Sequence, residues 1–584
     1  MTRTRWILLF AAFLLLVIGA WLWWVKPRQV DMAAYAPADS LLYLEANHPI
    51  EVVDAIAGTQ AWKTLDGIIE SRPAASQSRW LQEFIGWTGL GPIKSVILAR
   101  AQVAVVLTDL RTAEEGDTLN IKSEGALLIE THTSESRIKA TFEETLKTLA
   151  EKTYGRPTSR RVTVEGIEFS EWIAPEGSRQ IVGVVVGSLV VIGTSEHVVQ
   201  NCLAVSHGQG PSLKDDPELH AMRLRLERGR ALTFGYVPTA NSARLLAVGL
   251  PLLLGRAPGD SEFQRLITNG ASKVFGSLGW TSNTYLTGIE DRYLITLQPS
   301  IVAHLKPTFG SNNIDSQMQR VVPNDAYSVT SYKFANPAAA WLSLKTAVSS
   351  QVDALSAIVF ASLLKSALLS YGLGDPESFL GAVDGDLLTL RLDENAEHSL
   401  LIAGVRDRAT LRQLLTKRMS TKAGHAGMGA TEMFEEPAGE FAATLSDKSI
   451  VTGSSPDVRR YLQLRENSAA LMSADNLRRM TSFFSPPVTS NIVTYTNDGD
   501  RVRSFMAAVI SAKGRSTESS EQFEAAIATL PYSITETTLG DRGIERTTRS
   551  PLGQFSTLLP LILPQRPGTV KNASQSKWIR NDQQ

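Results

Sequence analysis

Cysteine is almost absent. Cys202 is the only one in 584 residues, so no intramolecular disulfide can form and stability has to come from packing. The same scarcity excludes a zinc site built on several thiolates. An excess of charge of either sign is missing as well: 58 Lys and Arg against 59 Asp and Glu leave a formal net charge of −1. Nothing in that balance draws the chain toward nucleic acid, which is not an expected partner. Histidine is scarce, and the densest group is His197, Cys202, His207 and His220. Five-residue steps on a helix turn about 500°, so the first three do not share a face and no metal is expected. No G-x-S-x-G, P-loop or complete G-x-G-x-x-G pattern occurs either.

Long apolar runs are also rare, with one exception. Trp6–Val25, WILLFAAFLLLVIGAWLWWV, carries no charge and at helical rise covers about 30 Å, the thickness of a hydrocarbon core. Trp21, Trp23 and Trp24 at its end suit the headgroup zone, and Lys26 follows. A cleavable signal peptide is the rival reading, but such peptides end in small residues, and this run ends in Trp-Leu-Trp-Trp-Val. We therefore expect a single uncleaved transmembrane anchor, with membrane lipid as its partner through Trp6–Val25. Arg3 and Arg5 keep the short tail in the cytoplasm, which places the chain from about residue 30 outside it. Asp353–Leu373 is interrupted by Lys365 and reads as a buried or amphipathic helix, and Ala243–Leu254 is too short to span.

The rest of the chain spells one order of elements twice. Gln180–Leu219 runs as an apolar stretch, a Gly187-Ser188 turn, a second apolar stretch to Gly193, a helix opened by Ser195, and an acidic start to another helix. Glu440–Leu477 repeats this with its turn at Ser446-Asp447-Lys448 and its strand exit at Gly453. Turn residues between apolar runs signal a hairpin, and Ser or Asp after a strand supplies an N-cap. Further matches are Pro37-Ala38-Asp39 with Pro323-Asn324-Asp325, Asn47-His48-Pro49 with Asn336-Pro337, and Ala231–Val237 with Asn491–Thr496. A charged turn is expected near each end, at Ile289–Arg292 and at Gly540–Gly543. Pro323 lies 286 residues after Pro37, Gly453 260 after Gly193, and Asp541 250 after Asp291, so the offset only shrinks, as shorter loops in a second copy would make it.

Strands joined mainly by turns predict an α+β class: a transmembrane helix, then two similar modules of mainly antiparallel sheet with helices packed on one face, produced by tandem duplication. The predicted ranges are 1–29 for the anchor and its flanks, 30–300 for the first module and 301–322 for a linker. The second module is 323–563 and a loose tail 564–584.

Chemistry-bearing patterns are weak. Ser362-Leu363-Leu364-Lys365 fits S-x-x-K but has neither the K-T-G strand nor S-D-N, and Ser473-Ala474-Asp475-Asn476 has the wrong spacing. Asp384-Gly385-Asp386 reads as a turn into a strand, and Asp215-Asp216 as a helix start, where acids favour the dipole. Asn572-Ala573-Ser574 is a glycosylation sequon that matters only in a host that glycosylates. No catalytic, cofactor-binding or metal residues are assigned.

The anchor, the Pro37-Ala38-Asp39 strand opening with its imperfect copy at Pro323, and Gly-Asp strand starts such as Gly385-Asp386 resemble bacterial single-anchor proteins grouped as a domain of unknown function. The resemblance implies an extracytoplasmic protein tethered to the cytoplasmic membrane and supplies no catalytic residues. The expected function is non-enzymatic binding or scaffolding, with an envelope protein or an apolar ligand in a cleft between the modules as partner. An anchored envelope hydrolase or transferase with a site assembled from distant loops is the alternative.

Overall fold

The structure is a computed structural model. It describes residues 29–69, 100–115, 118–164, 166–227, 231–253, 261–310, 322–324, 326–352, 361–362, 365–366, 368–393, 399–422, 431–466, 473–483, 490–512 and 521–562. None of the described helices is long and apolar enough to cross a membrane, and Trp6–Val25 lies outside the described residues.

The strands of the first half are β1 (Leu42–Ala46), β2 (Gln102–Glu115), β3 (Thr118–Glu130), β4 (Thr158–Val164), β5 (Ile167–Ile173), β6 (Gln180–Val186), β7 (Leu189–Gly193), β8 (Thr233–Val237), β9 (Phe275–Tyr285) and β10 (Gly288–Leu297). They pair in the order β4-β5-β6-β7-β3-β2-β1-β8-β9-β10, always antiparallel. The second half supplies β11 (Ser328–Lys333), β12 (Val383–Arg391), β13 (Ser399–Val405), β14 (Ser420–Lys422), β15 (Glu432–Glu435), β16 (Phe441–Leu445), β17 (Ser449–Ser454), β18 (Ile492–Thr496), β19 (Ser533–Leu539) and β20 (Gly543–Ser550). Its pairing order, β14-β15-β16-β17-β13-β12-β11-β18-β19-β20, is the first one strand for strand.

The halves are not separate sheets. β10 pairs with β20, and the result is one 20-stranded antiparallel sheet. Ile289 faces Ser550 and Ile295 faces Ile544. Since Ile544 lies 255 residues after Ile289, and Ser550 255 after Ile295, the register is symmetric about the Arg292–Thr547 pair. That makes the seam isologous, a local twofold inside one chain.

This seam corrects the expected charged turn at Ile289–Arg292. Those residues are strand, and the turn sits at Leu286-Thr287, where Leu286 takes the left-handed conformation at φ 47. Polar letters read as a turn, but here acidic groups point into the structure and are paired there. The second expected turn does fall between β19 and β20. Asp384-Gly385-Asp386 likewise lies within β12, at a register irregularity between Val383 and Leu387 rather than in a turn.

Helices cover both faces of the sheet, which corrects the one-face expectation. On the front face the Glu196–Ser206 and Pro217–Leu226 helices set Val199, Cys202, Leu219 and Met222 against Tyr43, Val106, Leu128 and Val191. The second half does the same with Val458, Tyr461 and Met480 over Val329, Leu390, Leu400 and Val451. On the back face the Glu135–Tyr154 helix packs Ile138, Phe142 and Leu146 on Trp172, Val185 and Val190. Val184 and Val191 thus face forward while Val185 and Val190 face back. Apolar residues on both faces are what a strand buried on both sides requires. Local signals start the helices: Ser195 accepts from Val198 N–H, Asp216 from Glu218 N–H and Asn336 from Ala339 N–H.

Two back-face cores join the halves. Ile56, Trp62 and Leu65 pack with Phe505, Met506, Phe523 and Ile527 at one end of the seam, and Ile301, Val302 and Leu305 with Ala347 and Val348 at the other. The predicted linker therefore begins inside a packed helix, Pro299–Leu305. Residues 311–321 of it lie outside the described residues. Phe505 is 1% exposed and meets the Trp62 ring edge-on at 6.2 Å. Phe505→Ala should cost about 3–5 kcal/mol. Because the core is shared, hydrogen exchange in β1 should speed up together with that in β11; acceleration confined to β11 would show that the halves unfold separately.

Candidate functional site

The β10–β20 pairing brings side chains of both halves together at the middle of the front face. One cross-strand row reads Thr281, Arg292, Thr547, Glu536, and the next Asn283, Glu290, Arg549, Ile534. Glu290, 5% exposed, accepts from Arg292 Nε at 2.7 Å and from Arg549 Nε at 2.8 Å, and Arg549 Nη1 reaches Glu536 at 2.6 Å. The Arg549 guanidinium also lies 4.8 Å from the centre of the Tyr285 ring. Charges alternate along this chain of four residues and cancel. Each acid is taken up by an arginine, so the cluster clamps the halves rather than presenting a free nucleophile or base.

Behind it, on the back face, two carboxylates are buried without full compensation. Asp291 is 1% exposed, accepts from Ser282 Oγ at 2.5 Å and from the Gln554 N–H at 2.8 Å, and burial pushes its pKa up to about 6. Asp498 precedes the Gly499–Ala512 helix; burial also raises it to about 6, against the opposing pull of Arg501 at 3.4 Å. A carboxyl titrating there could donate a proton. Both are closed in under the shared helix core, so neither faces a space where a substrate would sit.

The described surface includes two cavities of note. One of about 240 Å³ lies at the foot of the seam between the Pro217–Leu226 helix, β9, β10 and the β19–β20 turn. The other, about 460 Å³, is lined by Trp341, Lys345, Lys365, Asp375 and Glu377 in the second half. Lys345 there is paired with Glu377 at 2.8 Å.

The residues weighed from sequence are dispersed. Cys202 is fully buried in the front core, and burial pushes its thiol up to about 12. His220 bonds the Lys214 carbonyl at 2.7 Å and His197 meets Asn201 at 3.4 Å. Among the described residues no group of three or more His, Cys, Asp or Glu is placed to hold a metal. Asp215 accepts from Ser212 Oγ at 2.8 Å, and Asp216 caps its helix and accepts from Tyr236 Oη at 2.7 Å. Asp384 meets Arg406 at 3.7 Å, and Asp386 pairs with Lys333. Lys365 borders the larger cavity. Ser473 N–H donates to Asn324 Oδ1 at 2.7 Å, and Asn572–Ser574 lies outside the described residues. Sequence reasoning missed Glu290, Arg549 and Glu536 as a group, because Arg549 and Glu536 sit among Thr and Ser in their strands and Glu290 beside Asp291 and Arg292, so nothing local marked them for burial.

No family model matches the chain, and no curated protein matches it.

At the position of Arg549 the first half has Leu294, 255 residues earlier. Arg549→Leu should cost about 3–5 kcal/mol, because it leaves Glu290 and Glu536 short of a counter-charge. Adding Glu290→Gln and Glu536→Gln should recover most of that loss in urea unfolding. The back-face acids make a second prediction. Each holds its proton in the folded chain at pH values where the unfolded chain has released it, so their stabilising contribution is complete below about pH 4 and lost as pH rises to about 6. Across that window the wild type should lose on the order of 3 kcal/mol per acid relative to the Asp291→Asn, Asp498→Asn double variant. Parallel urea midpoints at pH 4, 5, 6 and 7 would show no separate acid contribution.

Proposed function

We propose that the chain is a membrane-anchored, extracytoplasmic binding or scaffolding protein without enzymatic activity. In this reading one α+β unit has been duplicated in tandem, and Trp6–Val25 holds the pair in the cytoplasmic membrane of a bacterium as a single span. The identical pairing order of the two halves and the register symmetry of their seam support the duplication. Composition supports the anchor, since Trp6–Val25 is the one uncharged stretch of spanning length. The resemblance to bacterial single-anchor proteins agrees with this placement.

One observation carries the binding role. The twofold gathers charged residues of both halves at the midline, and they are paired with one another across a broad sheet instead of ringing a reaction space. A rigid platform with arginine and aromatic side chains near its middle suits a protein partner, for which Arg and Tyr are favoured anchors.

Photo-crosslinking from positions beside the seam, in the intact membrane-inserted protein, tests this. A defined envelope protein should be captured from Arg292 and Thr547 but not from the outer strand β4. Capture spread evenly over the surface would defeat the proposal. In spheroplasts, added protease should degrade the chain beyond residue 30 while a cytoplasmic control survives; protection of both would reverse the orientation.

A further inference from the structure

The cavity at the foot of the seam has a twofold-equivalent place whose described residues differ in size. The twofold relates it to the other end of the front face, where the lining residues Ala221, Ser277 and Leu294 and the adjacent Gly279 have larger counterparts. Ser277 corresponds to Tyr532, Gly279 to Ile534 and Leu294 to Arg549, each 255 residues on, while Ala221 corresponds to Arg479, 258 on. These larger residues pack on aromatic rings there: Arg479 lies 5.5 Å from the Tyr532 ring centre and Arg549 4.8 Å from that of Tyr285. Phe483 closes against Gly288, where a Cβ would come within 2.9 Å of the ring. In the first half Gly279 instead lies under Met222, and a cavity of about 240 Å³ stays open.

The lining of the open cavity is sorted by chemistry. Met222, Leu294 and Leu297 make an apolar floor, and the hydroxyls of Ser277 and Thr296 lie 3.3 Å apart in one wall. At the rim are three charges. Asp541 is neutralised by Lys306. Glu218 is exposed and accepts from Thr239 Oγ1 at 2.6 Å, but no cation pairs with it among the described residues, and Arg542 is exposed with no ion pair there. A carboxylate and a guanidinium that have no ion pair among the described residues, over an apolar floor, complement a molecule that carries an ammonium, a carboxylate and an aliphatic side chain. The volume is below that of pockets for drug-sized ligands.

We infer that this cavity binds a zwitterionic α-amino carboxylate with an aliphatic side chain, as a free amino acid or a short peptide. Glu218 takes the ammonium, Arg542 the carboxylate, and Met222, Leu294 and Leu297 the side chain. This goes beyond the partner-binding role, and the two fail separately, since one is read by crosslinking and the other by calorimetry on purified protein.

The test is calorimetric titration of the full-length chain in lipid nanodiscs, with empty nanodiscs as blank. L-leucine and leucyl-leucine are compared with 4-methylpentanoate, which lacks the ammonium, and isoamylamine, which lacks the carboxylate. At least one zwitterion should bind saturably, and both single-charge analogues at least tenfold more weakly; which zwitterion is tighter separates amino acid from peptide. Ser277→Tyr and Ala221→Arg, which install the second-half residues, should each weaken binding at least tenfold, as should Arg542→Gln. Should Ser277→Tyr fold poorly, the partly exposed Ala221→Arg carries the same test. Absence of saturable heat with both zwitterions on folded wild type, or unchanged affinity in the folded cavity-filling variants, overturns the inference.

Discussion

Antiparallel pairing between β10 and β20 is the constraint on which the rest of the molecule depends. Without it each half would end in a long strand with a full row of unpaired backbone groups, a template for aggregation. Joining the two edges removes both liabilities at once and puts the halves in a twofold relation, because each strand meets its structural counterpart in a symmetric register. The helices that follow β1, β10, β11 and β20 are thereby brought across the seam, which is why the shared cores flank it at both ends. The outer edges that remain are managed differently. β14 is only three residues long, and β4 carries Arg160 and Arg161, tied to Glu171, Glu143 and Glu168.

A seam in the middle of a two-sided sheet has to bury whatever its strands carry. The two faces of β10 solve this in opposite ways. On the front, Glu290 lies inside a chain of pairs with Arg292 and Arg549, each at hydrogen-bonding distance. On the back, Asp291 has only neutral donors, and burial favours its protonated form. Adjacent residues on one strand thus sit in contrasting electrostatic settings, and the difference follows from which neighbours the register supplies. The ion pairs hold the register more than they add stability, since a slip of one residue would turn Glu290 and Arg549 to the helix-covered back face.

Local grammar was legible in the sequence and long-range placement was not. The hairpins Gln180–Gly193 and Phe441–Ser454 and the helices after Ser195, Asp216 and Asn336 could be read because turn residues and N-caps act within a few positions. The repeated order of elements was readable for the same reason, as a string of such local signals. Fusion of the halves into one sheet was not, since nothing in β10 or β20 alone says that they pair. Ile289–Arg292 misled for a physical reason: three consecutive polar residues suggest solvent, and only the tertiary partners Ser282, Gln554 and Arg549 make their burial tolerable. The one-face helix expectation failed although the sequence held the signal against it, since unbroken apolar runs in β6 and β7 imply cover on both sides.

Twofold construction also sets how the halves can diverge. Residues at the seam contact their own counterparts' neighbours, so a change in one half alters the surroundings of the other. Tyr532 and Arg479 stand at one end where the first half has Ser277 and Ala221 at the other, and the two ends do not touch because they lie on opposite sides of the axis. The β2–β3 ribbon shows the same independence. It continues past Leu107 and Ala126, where β1 and β7 stop, to a last pair at Glu115 and Thr118, whereas β12 and β13 end together at Arg391 and Ser399. Such a ribbon extends away from the axis and disturbs no symmetric contact. Features far from the axis are therefore free to differ between halves, and those on it are not, which places the strictest sequence requirement on the short stretch of β10 and β20 around Arg292 and Thr547.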